Sequence, residues 1–96
     1  MEFKSVEYGV VKVSLFKYHD GDGIAVRLFG EDNMPLAVLS VNLPEYNWCL
    51  KENEFFCKTW SENEVLASEA LSSGLFVDTG SRIDLGNVVV QVWRIN

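Results

Sequence analysis

The segment 53–64 constrains the fold most, because in it a predicted strand leads directly into a well-marked helix start. Phe55 and Phe56 have the aromatic side chains that favour strands. Ser61 has the hydroxyl of a helix N-cap, and Glu64 stands three residues later, where a capping box places a glutamate. The sequence therefore predicts a sheet with one helix packed on it.

The predicted helix runs from residue 62 to about residue 72. Trp60 and Val65 occupy the two positions of a hydrophobic staple, and Gly74 is expected to end the helix in a left-handed conformation. The apolar stripe that faces the sheet consists of Leu66, Ala67, Ala70 and Leu71.

Alternating apolar and polar residues predict an antiparallel meander before this segment. Its three strands lie at 10–18, 24–28 and 36–43, with turns at 19–23 and 30–33 between them. A closing strand at 88–95 is apolar on both faces and is expected to be central or covered. The predicted class is α+β, with five to six strands in one antiparallel sheet and one helix, and residues 1–96 form a single domain.

Charge and composition exclude several classes of protein. The chain has eight Lys and Arg and 14 Asp and Glu, which gives a net charge of −6, and the basic residues are dispersed along the sequence. Because a protein that holds nucleic acid by its phosphates needs a basic face, we expect no direct nucleic-acid partner. No apolar run approaches the roughly 20 residues of a membrane span, and the charged N-terminus does not resemble a signal peptide. We expect a cytoplasmic protein with no membrane partner.

The residues with potential for chemistry form no recognised catalytic or metal-binding pattern. His19 is the single histidine and adjoins a turn that contains Asp20 and Asp22. A calcium loop would use Asp20, Asp22 and Glu31, but Ala25 stands where such a loop requires glycine. We expect no catalytic residue, metal or cofactor, and a protein that is not an enzyme. A small ligand-binding domain or enzyme that uses the turn at His19, Asp20 and Asp22 is the alternative.

The two cysteines, Cys49 and Cys57, are not spaced as a Cys-x-x-Cys pair, and no second pair completes a zinc site. Cys57 lies in the predicted strand, between an aromatic and a charged residue, so it is expected to be a small buried hydrophobe. Both are expected to be free thiols.

Acidic residues concentrate in the segment 45–69, where six glutamates and two lysines give a net charge of −4. Glu62 and Glu64 are also explained by the favourable dipole at the start of the predicted helix. Tyr46 and Trp48 are expected to be exposed apolar anchors beside the acids. The predicted partner-binding residues are Glu45, Tyr46, Trp48, Glu52, Glu54, Glu62 and Glu64.

One helix covers only part of one face of the predicted sheet, so the position of several aromatic residues is open. Phe16, Tyr18, Phe29 and Trp93 lie either on an exposed face or rim, where aromatic groups mark binding sites, or inside a strongly twisted sheet or partial barrel. The sequence favours neither arrangement over the other.

Three segments carry a resemblance to a family of small bacterial proteins of unknown function found on plasmids, integrative elements and phages. They are 39–45 (LSVNLPE), 53–64 (NEFFCKTWSENE) and 74–80 (GLFVDTG), and the resemblance covers roughly residues 10–95 in the order of its motifs. It implies a setting on a mobile genetic element and gives no catalytic residues. Small acidic proteins of such elements often inhibit host defence, as anti-CRISPR and anti-restriction proteins do.

The resulting functional hypothesis is an acidic module that binds a protein partner with a basic, nucleic-acid-binding surface. The motivation is the charge of the segment 45–69, the lack of catalytic groups and the setting that the resemblance implies. A homodimer that pairs edge strands or aromatic faces and serves as a scaffold is a further alternative.

Overall fold

Seven antiparallel strands form two sheets in the residues that the computed structural model describes, 1–21 and 23–96. The strands are β1 (Glu2–Ser5), β2 (Gly9–Lys17), β3 (Ile24–Phe29), β4 (Pro35–Val38), β5 (Glu54–Cys57), β6 (Phe76–Asp84) and β7 (Val89–Ile95). Sheet A has the order β1–β2–β3–β4, and sheet B has the order β5–β7–β6. Helix α1 is Glu64–Ser72, and short 3₁₀ helices lie at Glu31–Asn33, Pro44–Cys49 and Ser61–Asn63. The predicted α+β class is confirmed.

Backbone hydrogen bonds connect the two sheets where the chain leaves β4. The amide of Leu39 donates to the carbonyl of Val26 in sheet A at 2.8 Å. The amide of Val41 then donates to the carbonyl of Phe56 in sheet B at 2.9 Å, and the amide of Lys58 donates to the carbonyl of Leu39 at 2.7 Å. The strands therefore curve in one continuous series from β1 round to β6.

Helix α1 lies between the two ends of this series and contacts both β1 and β6. The Glu69 carboxylate fixes the helix to the end of β1, since it accepts a bond from the Ser5 hydroxyl at 2.8 Å and from the Val6 amide at 2.7 Å. The strands thus form a partial barrel whose gap the helix closes, but this barrel does not bury all four aromatic residues whose position was open: Phe16 is 47% exposed, and Tyr18 and Phe29 are half-buried. No helix in the described part of the chain is long and apolar enough to cross a membrane.

The interior of this partial barrel is an aromatic core. Phe55 packs edge-on against Phe76 and Trp93, with ring centroids 5.6 and 6.4 Å apart. Leu66 and Ala70 of α1 pack on the same cluster, as the predicted stripe requires. Trp93 is buried and does not lie at the rim.

The outer face of sheet B has a second, smaller core. Phe56, Val90 and Val92 are buried there, and Tyr46 and Leu50 cover them. Since β7 is the middle strand of sheet B and is packed on both faces, the prediction of a central, covered C-terminal strand is confirmed.

The predicted helix start is wrong in its details. Ser61 has a φ of 58° within the 3₁₀ turn and makes no capping bond, and α1 begins at Glu64 instead of residue 62. The buried Asn63 side chain is committed elsewhere, because its amide group donates to the carbonyl of Val38 at 2.7 Å. Val65 is 66% exposed, so it forms no hydrophobic staple. The left-handed conformation of Gly74 is confirmed, with a φ of 85°.

Three strand boundaries also differ from the sequence-based prediction. The strand expected at 36–43 ends at Val38, because the chain then crosses to sheet B. Strand β1 was not predicted. The sequence of residues 78–81 (DTGS) also predicts a turn, but these residues lie inside β6, where the pairing with β7 shifts register. The predicted single sheet is therefore two connected sheets.

Candidate functional site

The 3₁₀ helix Pro44–Cys49 has a side that packs on the protein and a side that is exposed. Tyr46 and Cys49 pack on the outer core of sheet B. Glu45 and Trp48 are three residues apart, so in a helix with three residues per turn they align with each other, about 120° around the helix from Tyr46 and Cys49. The Trp48 side chain is 81% exposed. Tyr46 was predicted to be exposed but is half-buried, because it forms part of the cover over sheet B.

The acids that follow this helix lie in the approach to β5. Glu52 is exposed, whereas Glu54 is half-buried and its Oε1 accepts a bond from the amide of Lys51 at 2.9 Å. Glu54 therefore orders the turn in which Glu52 is displayed. We call Glu45, Trp48 and Glu52 the Trp48 surface.

Glu62 and Glu64 lie beyond the opposite end of β5, a strand whose four residues span about 10 Å. The Lys58 ammonium group forms an ion pair with Glu62, at 2.7 Å to its Oε2. The hydrogen bond from Lys58 lowers the pKa of Glu62. Glu64 is exposed at the start of α1. Glu62 consequently adds little net charge, and the predicted acidic residues fall into two groups separated by β5.

The turn of the alternative hypothesis is described only in part. His19 and Asp20 are exposed, and Asp22 lies outside the described residues. The amide group of Asn42 donates to the backbone carbonyl of Asp20 at 3.1 Å. Within residues 1–21 and 23–96, no three His, Cys, Asp or Glu side chains converge as a metal site would require.

The sequence did not indicate an open cleft that lies between the end of β2 at Lys17, the start of β3 at Ile24, and the residues that precede β5. Its volume is about 430 Å³. Lys17 and Lys51 line it together with Glu52 and Glu54, so its charges balance. The buried Oδ1 atom of Asn47, also at this cleft, has no hydrogen-bond donor among residues 1–21 and 23–96. The cleft shares Glu52 with the Trp48 surface.

Both cysteines are free thiols, as predicted. Cys57 is fully buried, and burial raises the pKa of its thiol, with a smaller contribution from the negative charge of Asp78. Cys49 is half-buried, and its Sγ donates to the carbonyl of Tyr46 at 3.0 Å. Neither thiol lies on the Trp48 surface.

Comparison with known proteins identified no relative of this chain. No protein-family model, curated protein or solved structure matches the chain.

Proposed function

We propose that this chain is an acidic, non-enzymatic module that binds a protein partner through the Trp48 surface. The observation that carries the proposal is the 81% exposure of Trp48 on a helix whose other side is packed. Tryptophan is among the residues most enriched at the energetic centres of protein interfaces. Because the helix is fixed on the core of sheet B, binding would require little ordering of the backbone around Trp48.

The charges around Trp48 indicate the chemistry of the partner. Glu45 and Glu52 are exposed on the same segment as Trp48, and with Glu54 and Lys51 they give the stretch 45–54 a net charge of −2. Acidic groups around an aromatic anchor complement a basic surface and accelerate its encounter. A basic surface that normally holds nucleic acid has this character.

We therefore propose a nucleic-acid-binding complex of host defence as the partner. This step rests on the acidic surface together with the resemblance to proteins of plasmids, integrative elements and phages. The module would act in the cytoplasm as an inhibitor of the anti-CRISPR or anti-restriction type, by occupying the surface that nucleic acid needs.

The test is affinity capture from bacterial host extract with four forms of the tagged protein. These are the wild type, Trp48→Ala, the charge reversal Glu45→Lys with Glu52→Lys, and a control reversal of two other exposed acids, Glu7→Lys with Glu31→Lys. We expect the wild type and the control to retain the same nucleic-acid-handling complex. Trp48→Ala and the reversal at the Trp48 surface should both lose it.

Two outcomes would contradict the proposal. Equal retention by all four forms would place the binding site elsewhere. Loss in both charge reversals, but not in Trp48→Ala, would mean that overall charge and not the Trp48 surface determines binding. Circular dichroism of each variant would show that the fold is retained.

A further inference from the structure

The face of sheet A that points away from the core carries a group of positive charges. Phe3 and Ser5 of β1 are buried, as are Val11, Val13 and Leu28 of β2 and β3, so their neighbours along each strand point outward. We call five of these outward residues the cationic face; they are Lys4 of β1, Lys12 and Phe16 of β2, and Arg27 and Phe29 of β3. The three cations are exposed.

These three cations follow one diagonal across three strands. Lys4 lies opposite Val10, which is two residues before Lys12. Lys12 in turn lies opposite Phe29, which is two residues after Arg27. Diagonal neighbours on one face of a sheet are about 7–8 Å apart. The register therefore places the cations in a row along which a polyanionic backbone can run.

Aromatic and planar groups flank this row. Phe16 is 47% exposed, and the Arg27 guanidinium carbon lies 5.0 Å from the centre of its ring. Phe29 is half-buried beside Lys12. Aromatic rings and guanidinium planes next to basic side chains are the surfaces on which the bases of single-stranded nucleic acids stack.

The overall charge of −6 does not describe this face. Charges on a protein surface are screened beyond about 8 Å at physiological ionic strength, and the molecule measures 35 × 25 × 23 Å. The Trp48 surface lies on the outer side of sheet B, across the core from the cationic face. On the cationic face itself, the three cations have one acidic neighbour, Glu2, which lies directly across from Lys12 in the register of β1 and β2.

We propose that the cationic face binds a short single-stranded nucleic acid, with phosphates along the row of cations and bases against Phe16, Phe29 and Arg27. A single strand fits better than a duplex, because its bases are free to stack on side chains. The net charge alone predicts no direct nucleic-acid partner. Because the charge is unevenly distributed, we expect the cationic face to bind nucleic acid although the whole molecule is acidic. The proposal does not depend on the Trp48 surface.

Fluorescence anisotropy with a labelled thymidine oligonucleotide of about twelve nucleotides tests this proposal. With three phosphate contacts, the affinity should fall roughly 20-fold between about 50 and 200 mM salt. Lys12→Glu with Arg27→Glu should abolish binding, and Phe16→Ala should weaken it on the order of tenfold. Lys51→Glu, an equivalent change of charge outside the cationic face, should have little effect by comparison with Lys12→Glu.

Three results would overturn the proposal. They are no saturable binding of the wild type at low salt, equal weakening by Lys12→Glu and Lys51→Glu, and equally tight binding of a labelled polyglutamate peptide or a DNA duplex. Each variant in this test carries only surface substitutions, and circular dichroism would show that each is folded. Trp48→Ala should bind the oligonucleotide as the wild type does, so this proposal and the proposed function can fail separately.

Discussion

The closure of the barrel by α1 leads to a sharp prediction for Glu69→Ala. In the native protein, the Glu69 carboxylate accepts bonds from the Ser5 hydroxyl and the Val6 amide, which lie at the end of β1. Alanine removes both acceptors. Val6 is fully exposed, so its amide can bond to water instead. The Ser5 residue is only 6% exposed, so its hydroxyl loses its acceptor in a buried position.

The expected loss of stability follows from these two environments. A hydrogen bond to a charged group contributes about 1.5–3 kcal/mol net, and a buried donor left without a partner costs about 1–3 kcal/mol. These two figures describe the same loss at Ser5 and are not added. The higher helix propensity of alanine offsets a few tenths of a kcal/mol of that loss. We expect Glu69→Ala to lower the free energy of unfolding by about 2 kcal/mol, or the Tm by roughly 8–16 °C.

Glu69→Gln separates the two hydrogen bonds from the charge. Its amide oxygen can accept from the buried Ser5 hydroxyl, while the exposed Val6 amide bonds to water, so we expect a loss below about 1 kcal/mol. Urea unfolding followed by tryptophan fluorescence and circular dichroism measures both variants, with Glu64→Ala as an exposed control on the same helix. An alanine variant within about 0.5 kcal/mol of the wild type, or a glutamine variant as unstable as alanine, would refute the reasoning.

Three further predictions concern the thiols, one ion pair and Trp48. A thiol reagent should modify Cys49 in the native protein, while Cys57 should react only after unfolding, because burial raises the pKa of its thiol and excludes the reagent. The Arg82 guanidinium lowers the pKa of Asp78 below its usual value of 3.8. The stability from this pair is therefore present above about pH 4 and lost as the pH falls through the folded-state pKa. The measurement is the free energy of unfolding of Asp78→Asn and of the wild type between about pH 2 and 7. The two values should differ by at most about 1 kcal/mol near neutrality and agree in acid. Trp48→Ala should cost at most about 1.3 kcal/mol of stability in urea unfolding, since only about a fifth of roughly 250 Å² of surface is buried, at about 25 cal/mol per Å². A loss well above this value would contradict the exposed position of Trp48.

The parts of the fold that local patterns determine were predictable from the sequence. Strand β7 is apolar on both faces and lies between two strands under cover on both sides. Leu66 and Ala70 recur at helical spacing and face the core. Gly74 adopts the left-handed conformation that ends the helix. Each of these signals is contained within a few neighbouring residues.

The parts that depend on distant contacts were not predictable. The chain changes sheets at Leu39 because of hydrogen bonds to Val26 and Lys58, which no local pattern indicates. Ser61 makes no capping bond in its 3₁₀ turn, and the side chain of Asn63 in the same turn bonds instead to the carbonyl of Val38, 25 residues away. The candidate site shows the same division. The exposure of Trp48 was expected, but the half-burial of Tyr46 depends on its contact with the outer face of sheet B.

The position of Trp48 is not explained by packing within the chain. Both faces of sheet B are apolar, so its outer face needs a cover, and the 3₁₀ helix supplies one through Tyr46 and Cys49. The period of three residues then directs Glu45 and Trp48 away from that cover. Since Tyr46 and Cys49, and not Trp48, pack on this outer core, the largely exposed side chain of Trp48 adds little to it. A contact outside the chain, with an apolar surface and a cation near Glu45, would give this residue a role that the fold does not.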